Sequence, residues 1–340
     1  MQKTLLFAIL FLFFVLTNAF SENGEQKFAD LGNFLLENQE CLENARIGYR
    51  IFGKPNPEKT NIVLYLTWFG GNSHSVSWLL GKGKIIDTEK YCVVVVDALG
   101  NAVSSSPSIS KVSYDKFPRF TVRDMVNSQH ALLTKHLGIS HIYALIGGSM
   151  GGMQVFEWIS SYPDFMDKAI SYVGTPRLTS YDLLLFHTTR KNMEMLKKYG
   201  AAESDLIMSM RMLFSICMDS PENRIRQTSV KDFPAFFASL EKNTSSMNSD
   251  DHLAQLYAML AHDISAPWGG AMEKVYPRIK AKVFIIVSKN DRIVNPKESM
   301  DFAKALNTRL LILENDLGHL AVGYELARVS KEIADFLAQP

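Results

Sequence analysis

Cysteine is scarce in this chain: Cys41, Cys92 and Cys217 are the three in 340 residues. Three thiols make at most one pair, so no disulfide framework holds the fold, and Cys92 lies in an apolar run that reads as core. Charge of one sign is missing too. Lys and Arg number 36 against 35 Asp and Glu, a net charge of +1, without the basic excess that a nucleic-acid binder carries. No long charge block appears and 47% of residues are hydrophobic, which excludes intrinsic disorder. Neither internal repeats nor low-complexity tracts are visible. His74, His130, His136 and His141 show no metal-ligand spacing, so neither a metal nor a bound cofactor is implied. Beyond the first twenty residues no stretch is long and apolar enough to span a bilayer. What remains is a globular chain, long enough for one large domain or two ordinary ones.

The N-terminus reads as a leader. Lys3 precedes thirteen residues, Thr4 to Leu16, of which only Thr4 is polar. Small residues follow, with cleavage expected after Ala19 or Ser21. A positive start, a short apolar stretch and a small-residue site define a secretory signal peptide over 1–21. An uncleaved anchor is the alternative, but the run falls short of the eighteen or so residues of a membrane span. Export, to a secreted or periplasmic location, is therefore expected, and losing Lys3 brings the net charge from +1 to 0. Asn243-Thr244-Ser245 is a glycosylation sequon that matters only in a glycosylating host.

Short β-branched runs recur at 62–67, 91–96, 141–146, 168–173, 282–287 and 309–313. Several are continuously apolar, as suits parallel strands buried on both faces. Helical patterns lie between them. Thr121 and Asp124 form a capping box, followed by apolar residues at helical spacing up to Gly138. Asn295, Pro296 and Glu298 open another helix as N-cap, N1 and N3. The alternation implies an α/β fold with a mostly parallel, doubly wound sheet. An antiparallel start is expected from 34–39 and 46–52. From 176 to 270 the pattern is helical only, and eight of the fifteen methionines fall there. Flexible thioethers suit an adaptable apolar surface, so this stretch reads as a helical cap inserted into a core formed by 22–175 and 271–340. Ordinary helical core is the bland alternative.

The chemistry-bearing signal is Gly147-Gly148-Ser149-Met150-Gly151, a G-x-S-x-G between an expected strand and an expected helix. Such a turn lifts a serine hydroxyl off the strand end, and side chains at 147 or 151 would collide there. The Met150 N–H then sits at a helix N-terminus, able to face a developing oxyanion. A serine nucleophile needs a base oriented by an acid, in the chain order Ser, Asp or Glu, His. His187, His252 and His262 fall before the last strands. His319 alone follows the final one, in a loop from which it can reach back over the sheet. Asp291 ends the preceding strand, where the acid belongs; Asp316 and Asp263 are its competitors. The second oxyanion donor is expected from Thr67-Trp68-Phe69-Gly70-Gly71-Asn72, at Phe69 or Trp68.

The stretches Phe120 to Val126, Gly147 to Gln154, Gly81 to Thr88 and Asp97 to Asn101 resemble the homoserine O-acetyltransferase branch of the α/β-hydrolase superfamily. The resemblance implies an α/β-hydrolase fold with an inserted helical cap, Ser149 as nucleophile, Asp291 as acid and His319 as base. It also places the second oxyanion donor at Phe69 and implies a homodimer through the cap. Homoserine acetyltransferases follow the catalytic histidine with an aspartate for the substrate's amine; here that residue is Leu320. Their cap arginine has its nearest candidate in Arg211, and Met218 stands near the position of their tyrosine. Ser105-Ser106-Pro107-Ser108 resembles a hydrolase-like offshoot of the same family. An ammonium lacking its buried partner is strongly disfavoured, so the sequence points to an exported serine acyl hydrolase acting on a small acyl substrate. Trp68 and Arg211 are candidate substrate contacts. An O-acyltransferase and a non-catalytic binding protein on the same fold are the alternatives.

Overall fold

A computed structural model describes residues 24–242 and 247–339. The leader at 1–21 and the sequon at 243–245 lie outside the described residues. Eight strands form one sheet: β1 (Lys27–Leu35), β2 (Cys41–Phe52), β3 (Ile62–Leu66), β4 (Cys92–Val96), β5 (Ile142–Gly148), β6 (Met166–Tyr172), β7 (Lys282–Ser288) and β8 (Arg309–Leu313). Their spatial order is β1-β2-β4-β3-β5-β6-β7-β8. The β1–β2 and β2–β4 pairs are antiparallel and all other pairs parallel. β3 and β4 are wholly buried, and each buried valine of β4 contributes roughly 1.5–3 kcal/mol.

Both ends of the antiparallel start differ from expectation. β1 begins at Lys27 rather than 34, β2 at Cys41 rather than 46, and residues 36–39 form the turn between them. β1 is half-exposed at the sheet edge and its register shifts on either side of Gly32. Those irregularities erase the alternation by which an edge strand is read.

On the faces of the sheet lie α1 (Val122–Ala131), α2 (Met150–Ser161), α8 (Lys297–Leu306) and α9 (Leu326–Ala338). Thr121 and Asp124 cap α1 reciprocally, and its last turn widens, the Leu137 N–H reaching the Leu132 carbonyl at 3.0 Å. α8 starts one residue later than its sequence pattern implies: Pro296 is the N-cap, and Asn295 Oδ1 accepts from the Lys297 N–H at 3.0 Å. Between β6 and β7 the chain carries α3 (Ser180–Lys198), α4 (Glu203–Cys217), α5 (Pro221–Gln227), α6 (Phe233–Lys242) and α7 (Ser249–Leu260). The two ends of this helical insertion meet, Arg177 and Asp263 pairing through their backbones in an isolated antiparallel β-bridge and the Ile264 N–H donating to Pro176 O at 3.0 Å.

The strand order positions the site. From β3 the chain steps outward to β4 and then returns to the other side of β3 with β5. The loops leaving β3 and β5 therefore diverge, opening the crevice at which ligands bind in sheets of this kind.

Candidate active site

Ser149 stands at the C-terminal end of β5, with φ +56° and ψ −122°. A non-glycine residue held there costs about 1–3 kcal/mol and persists only where its surroundings enforce it. The enforcement is steric. A Cβ on Gly147 would lie 2.3 Å from the Gly151 carbonyl oxygen, and one on Gly151 would lie 2.4 Å from that of Leu66. Only two glycines let the start of α2 pass so close to β5 and β3. The Ser149 N–H is tied to Tyr172 O at 3.0 Å, which anchors the turn to β6. Helix α2 begins at Met150 without a side-chain cap, so its first N–H groups are free of side-chain acceptors and carry the positive end of the dipole.

His319 reaches this serine from the loop after β8. Its Nε2 accepts from the Ser149 hydroxyl at 2.9 Å, and its Nδ1–H donates to Asp291 Oδ2 at 2.7 Å. The other Asp291 oxygen accepts from the N–H groups of Ile293 and Val294 at 2.9 and 3.0 Å, leaving one oxygen aimed at the imidazole. Asp291 is 1% exposed at its side chain and His319 10%, so the pair is shielded from water. The insertion helps hold this histidine: the His319 N–H donates to Met218 O at 3.0 Å. Gly318, at φ +58°, allows that approach. Of the competing acids, Asp316 pairs with Arg226 and Asp263 accepts from Ser265.

A cavity of about 480 Å³ opens over the serine. Trp68 and Phe69 from the β3 loop, Tyr172 at the end of β6 and Val173 just past it, Met210, Arg211, Phe214 and Met218 from the insertion, and Leu320 beside His319 line it. Trp68 and Arg211 thus both reach the cavity. So does Leu320, 41% exposed, an aliphatic side chain where a carboxylate would be needed to receive an ammonium. The walls are mostly apolar, the usual character of a small-molecule site. Tyr172 accepts or donates a 2.6 Å hydroxyl–hydroxyl hydrogen bond with Tyr65, and burial pushes its phenol up to about 12, keeping it neutral. Among the described residues no group of three His, Cys, Asp or Glu side chains is placed to hold a metal ion.

Two residues of the insertion, one lining the cavity and one buried behind it, carry no sequence signal. His252, on α7, lines the cavity with its ring edge-on to Phe69 at 5.5 Å. Its Nδ1–H donates to Asn248 O at 2.8 Å, and burial lowers its pKa below the usual histidine value. Gln255, one turn later, accepts from the Gly70 N–H at 3.0 Å. Both lie in a helix with no motif, visible in sequence only as ordinary helical polar positions.

The family described as the alpha/beta hydrolase fold matches residues 69–325. The chain belongs to it. Within that superfamily it falls in the homoserine O-acetyltransferase-like branch, where its relatives include esterases and acyltransferases. It is 27% identical to an ethyl acetate hydrolase of Pseudomonas veronii, over 94% of this chain and 97% of the relative. It is 30% identical to a homoserine O-acetyltransferase of Methanosalsum zhilinae, over 89% of this chain and 70% of that one. Among solved structures it matches the acetyl esterase MekB with a TM-score of 0.84 at 26% identity, over 93% and 97% of the two chains.

Proposed function

We propose that this α/β-hydrolase enzyme is an exported serine acyl hydrolase, with Ser149, His319 and Asp291 as its catalytic triad. One observation carries the reading: the continuous hydrogen-bonded line from the Ser149 hydroxyl through His319 to Asp291 at 2.9 and 2.7 Å, on a strained turn beneath an apolar cavity. In the first half-reaction Ser149 Oγ attacks the acyl carbonyl while its proton passes to His319 Nε2. The Met150 and Phe69 N–H groups receive the oxyanion. Collapse breaks the bond to the leaving alcohol, which takes the proton from His319. Water, deprotonated by His319, then attacks the acyl-enzyme; the acyl–Oγ bond breaks, the carboxylic acid leaves and His319 returns the proton to Ser149 Oγ. Asp291 holds the imidazole tautomer and stabilises its cationic form throughout.

Hydrolysis rather than transfer to an amino alcohol is supported by Leu320 and by the apolar walls. Both leave a substrate ammonium without a counter-charge beside His319. The ethyl acetate hydrolase and acetyl esterase likenesses favour a small ester. Export belongs to the same proposal and rests on the apolar run behind Lys3. No described helix is long and apolar enough to cross a membrane. A homodimer through the insertion completes the reading, supported by apolar side chains left outside on it, among them Leu184 at 67% and Ile216 at 69% exposed.

The test is turnover of p-nitrophenyl acetate and butyrate by the chain lacking 1–21, with and without homoserine and simple alcohols. Ser149→Ala should lower turnover by about 10³-fold or more in a protein that remains folded by circular dichroism. Turnover that rises with homoserine and yields its O-acyl ester replaces hydrolase with transferase. Retained turnover in Ser149→Ala overturns the nucleophile.

A further inference from the structure

The loop that follows β3 carries the Phe69 N–H, yet past Leu66 no strand holds it. Within the loop the Gly71 N–H turns back on Trp68 O at 2.9 Å, which closes the turn on itself but does not orient it toward Ser149. Gly70, at φ +71°, leaves the turn freer still. The core holds the two ends of the loop, Gln154 Nε2 donating to Thr67 O at 3.0 Å and Asn101 Nδ2 to Gly71 O at 3.2 Å; its middle, at Gly70, is held from the insertion. The side chain of Gln255, fully buried on α7, accepts from the Gly70 N–H through Oε1 at 3.0 Å. Its Nε2 donates to the Leu99 carbonyl in the loop after β4 at 3.1 Å. One amide thus spans two core loops and uses both of its polar ends. Helix α7 is itself fastened to the core one turn earlier, where Asp251 Oδ1 accepts from the Ser108 N–H at 2.9 Å.

From this geometry we infer that Gln255 is a positioning residue of the oxyanion site: by fixing the Gly70 N–H it sets the peptide plane next to Phe69 and holds the Phe69 N–H toward the reacting carbonyl. The inference deepens the hydrolase reading and rests on it. Two consequences follow. The Gly70 N–H is engaged by Gln255 and so is not the loop's oxyanion donor, a part left to its neighbours on the N-terminal side, Phe69 and Trp68. The insertion also becomes part of the catalytic apparatus, because displacing α7 withdraws the support of an oxyanion donor and not merely a wall of the cavity.

Removing one oxyanion donor costs about 10²–10³ in kcat, and misplacing a group by about 1 Å costs up to about 10². Gln255→Met, similar in volume and without hydrogen-bonding ends, should lower kcat by about 10- to 100-fold with KM within about threefold. Active sites are counted by stoichiometric fluorophosphonate labelling, so that kcat is read per competent serine and loss of folded protein is removed from the comparison. Gln255→Glu supplies a second readout. Its carboxyl accepts from Gly70 in either state but donates to Leu99 O only when protonated. Its kcat relative to the unsubstituted enzyme should therefore rise as pH is lowered, while that of Gln255→Met stays flat. Unchanged kcat per labelled site in both variants, even with a lowered melting temperature, overturns the inference and leaves the hydrolase reading standing. Absence of turnover in the unsubstituted enzyme, or turnover that survives Ser149→Ala, removes that reading and this inference with it.

Discussion

The sheet and the helical insertion solve opposite problems. At the C-terminal ends of β3 and β5, position is enforced by backbone crowding: two glycines, a buried strand on each side and a serine held at φ +56°. In the insertion nothing is so tightly determined. Its helices put Met210, Phe214 and Met218 into the cavity while Ile225 and Val230 stand 76% and 94% exposed. The difference shows how this fold divides labour. Ser149 and Asp291, the proposed nucleophile and acid, tolerate almost no displacement and follow directly on the ends of buried strands, whereas the shape of the pocket is set by flexible side chains that can be exchanged without disturbing the sheet. The exceptions are informative, since Gln255, Asp251 and the Met218 carbonyl are among the points where the adaptable region grips the rigid one.

Substitutions that break this contrast should grade from the sheet outward. Gly151→Ala puts a methyl 2.4 Å from the Leu66 carbonyl oxygen, a backbone atom that cannot swing aside. Overpacking of this kind costs about 1–3 kcal/mol and sometimes more, so a loss at the upper end, together with lost turnover, is expected. Denaturant unfolding checks it, and a fully stable, active variant would show that the turn is not as rigid as described.

A smaller effect is expected at the join between the two regions. Burial lowers the pKa of His262, whose Nε2–H donates to Thr175 O at 2.9 Å, and that of His252. Below the ordinary value of 6.5 the unfolded chain takes up protons that the folded chain refuses. Stability is therefore undiminished above that value and falls as pH drops beneath it. Asp182 and Asp251, raised by burial, act in the opposite sense, but in a lower window above their ordinary 3.8. Melting temperatures followed from about pH 7.5 to about 5.5 should decline, and less steeply in His262→Gln, which keeps a donor for Thr175. A decline of equal slope in that variant would place the titration elsewhere.

The smallest change belongs to the exposed face of the insertion. Ile216→Arg should alter stability by no more than about 0.5 kcal/mol, yet move the protein from dimer to monomer in sedimentation velocity. A monomer before substitution would dispose of the proposed dimer.

Much of the rigid region is legible in the sequence. Short β-branched and apolar runs mark β3 to β8 to within a residue or two, most plainly in β3 and β4, where a strand buried on both faces has no polar positions to confuse the pattern. The glycines around Ser149 are equally legible, since the turn admits little else. Legibility fails where a residue acts through partners distant in sequence. Gln255 meets Gly70 across 185 residues, and neither it nor His252 differs in pattern from a solvated helical position. The edge strand β1 and the first residue of α8 escaped for a local reason: bulges at Gly32 and the Asn295 side chain replace the regular signals.

By itself, then, the sequence determined the alternating architecture, the strained serine turn and the chain order of Ser149, Asp291 and His319. Each of these is a consequence of local sterics or of burial along one element. Only the tertiary structure decided that Asp291 rather than Asp316 meets His319, that Leu320 faces the cavity, and that an amide on a remote helix holds the loop beside Phe69. Those are matters of which side chains converge in space, and hydrogen bonds between distant segments leave no periodicity in the chain that forms them.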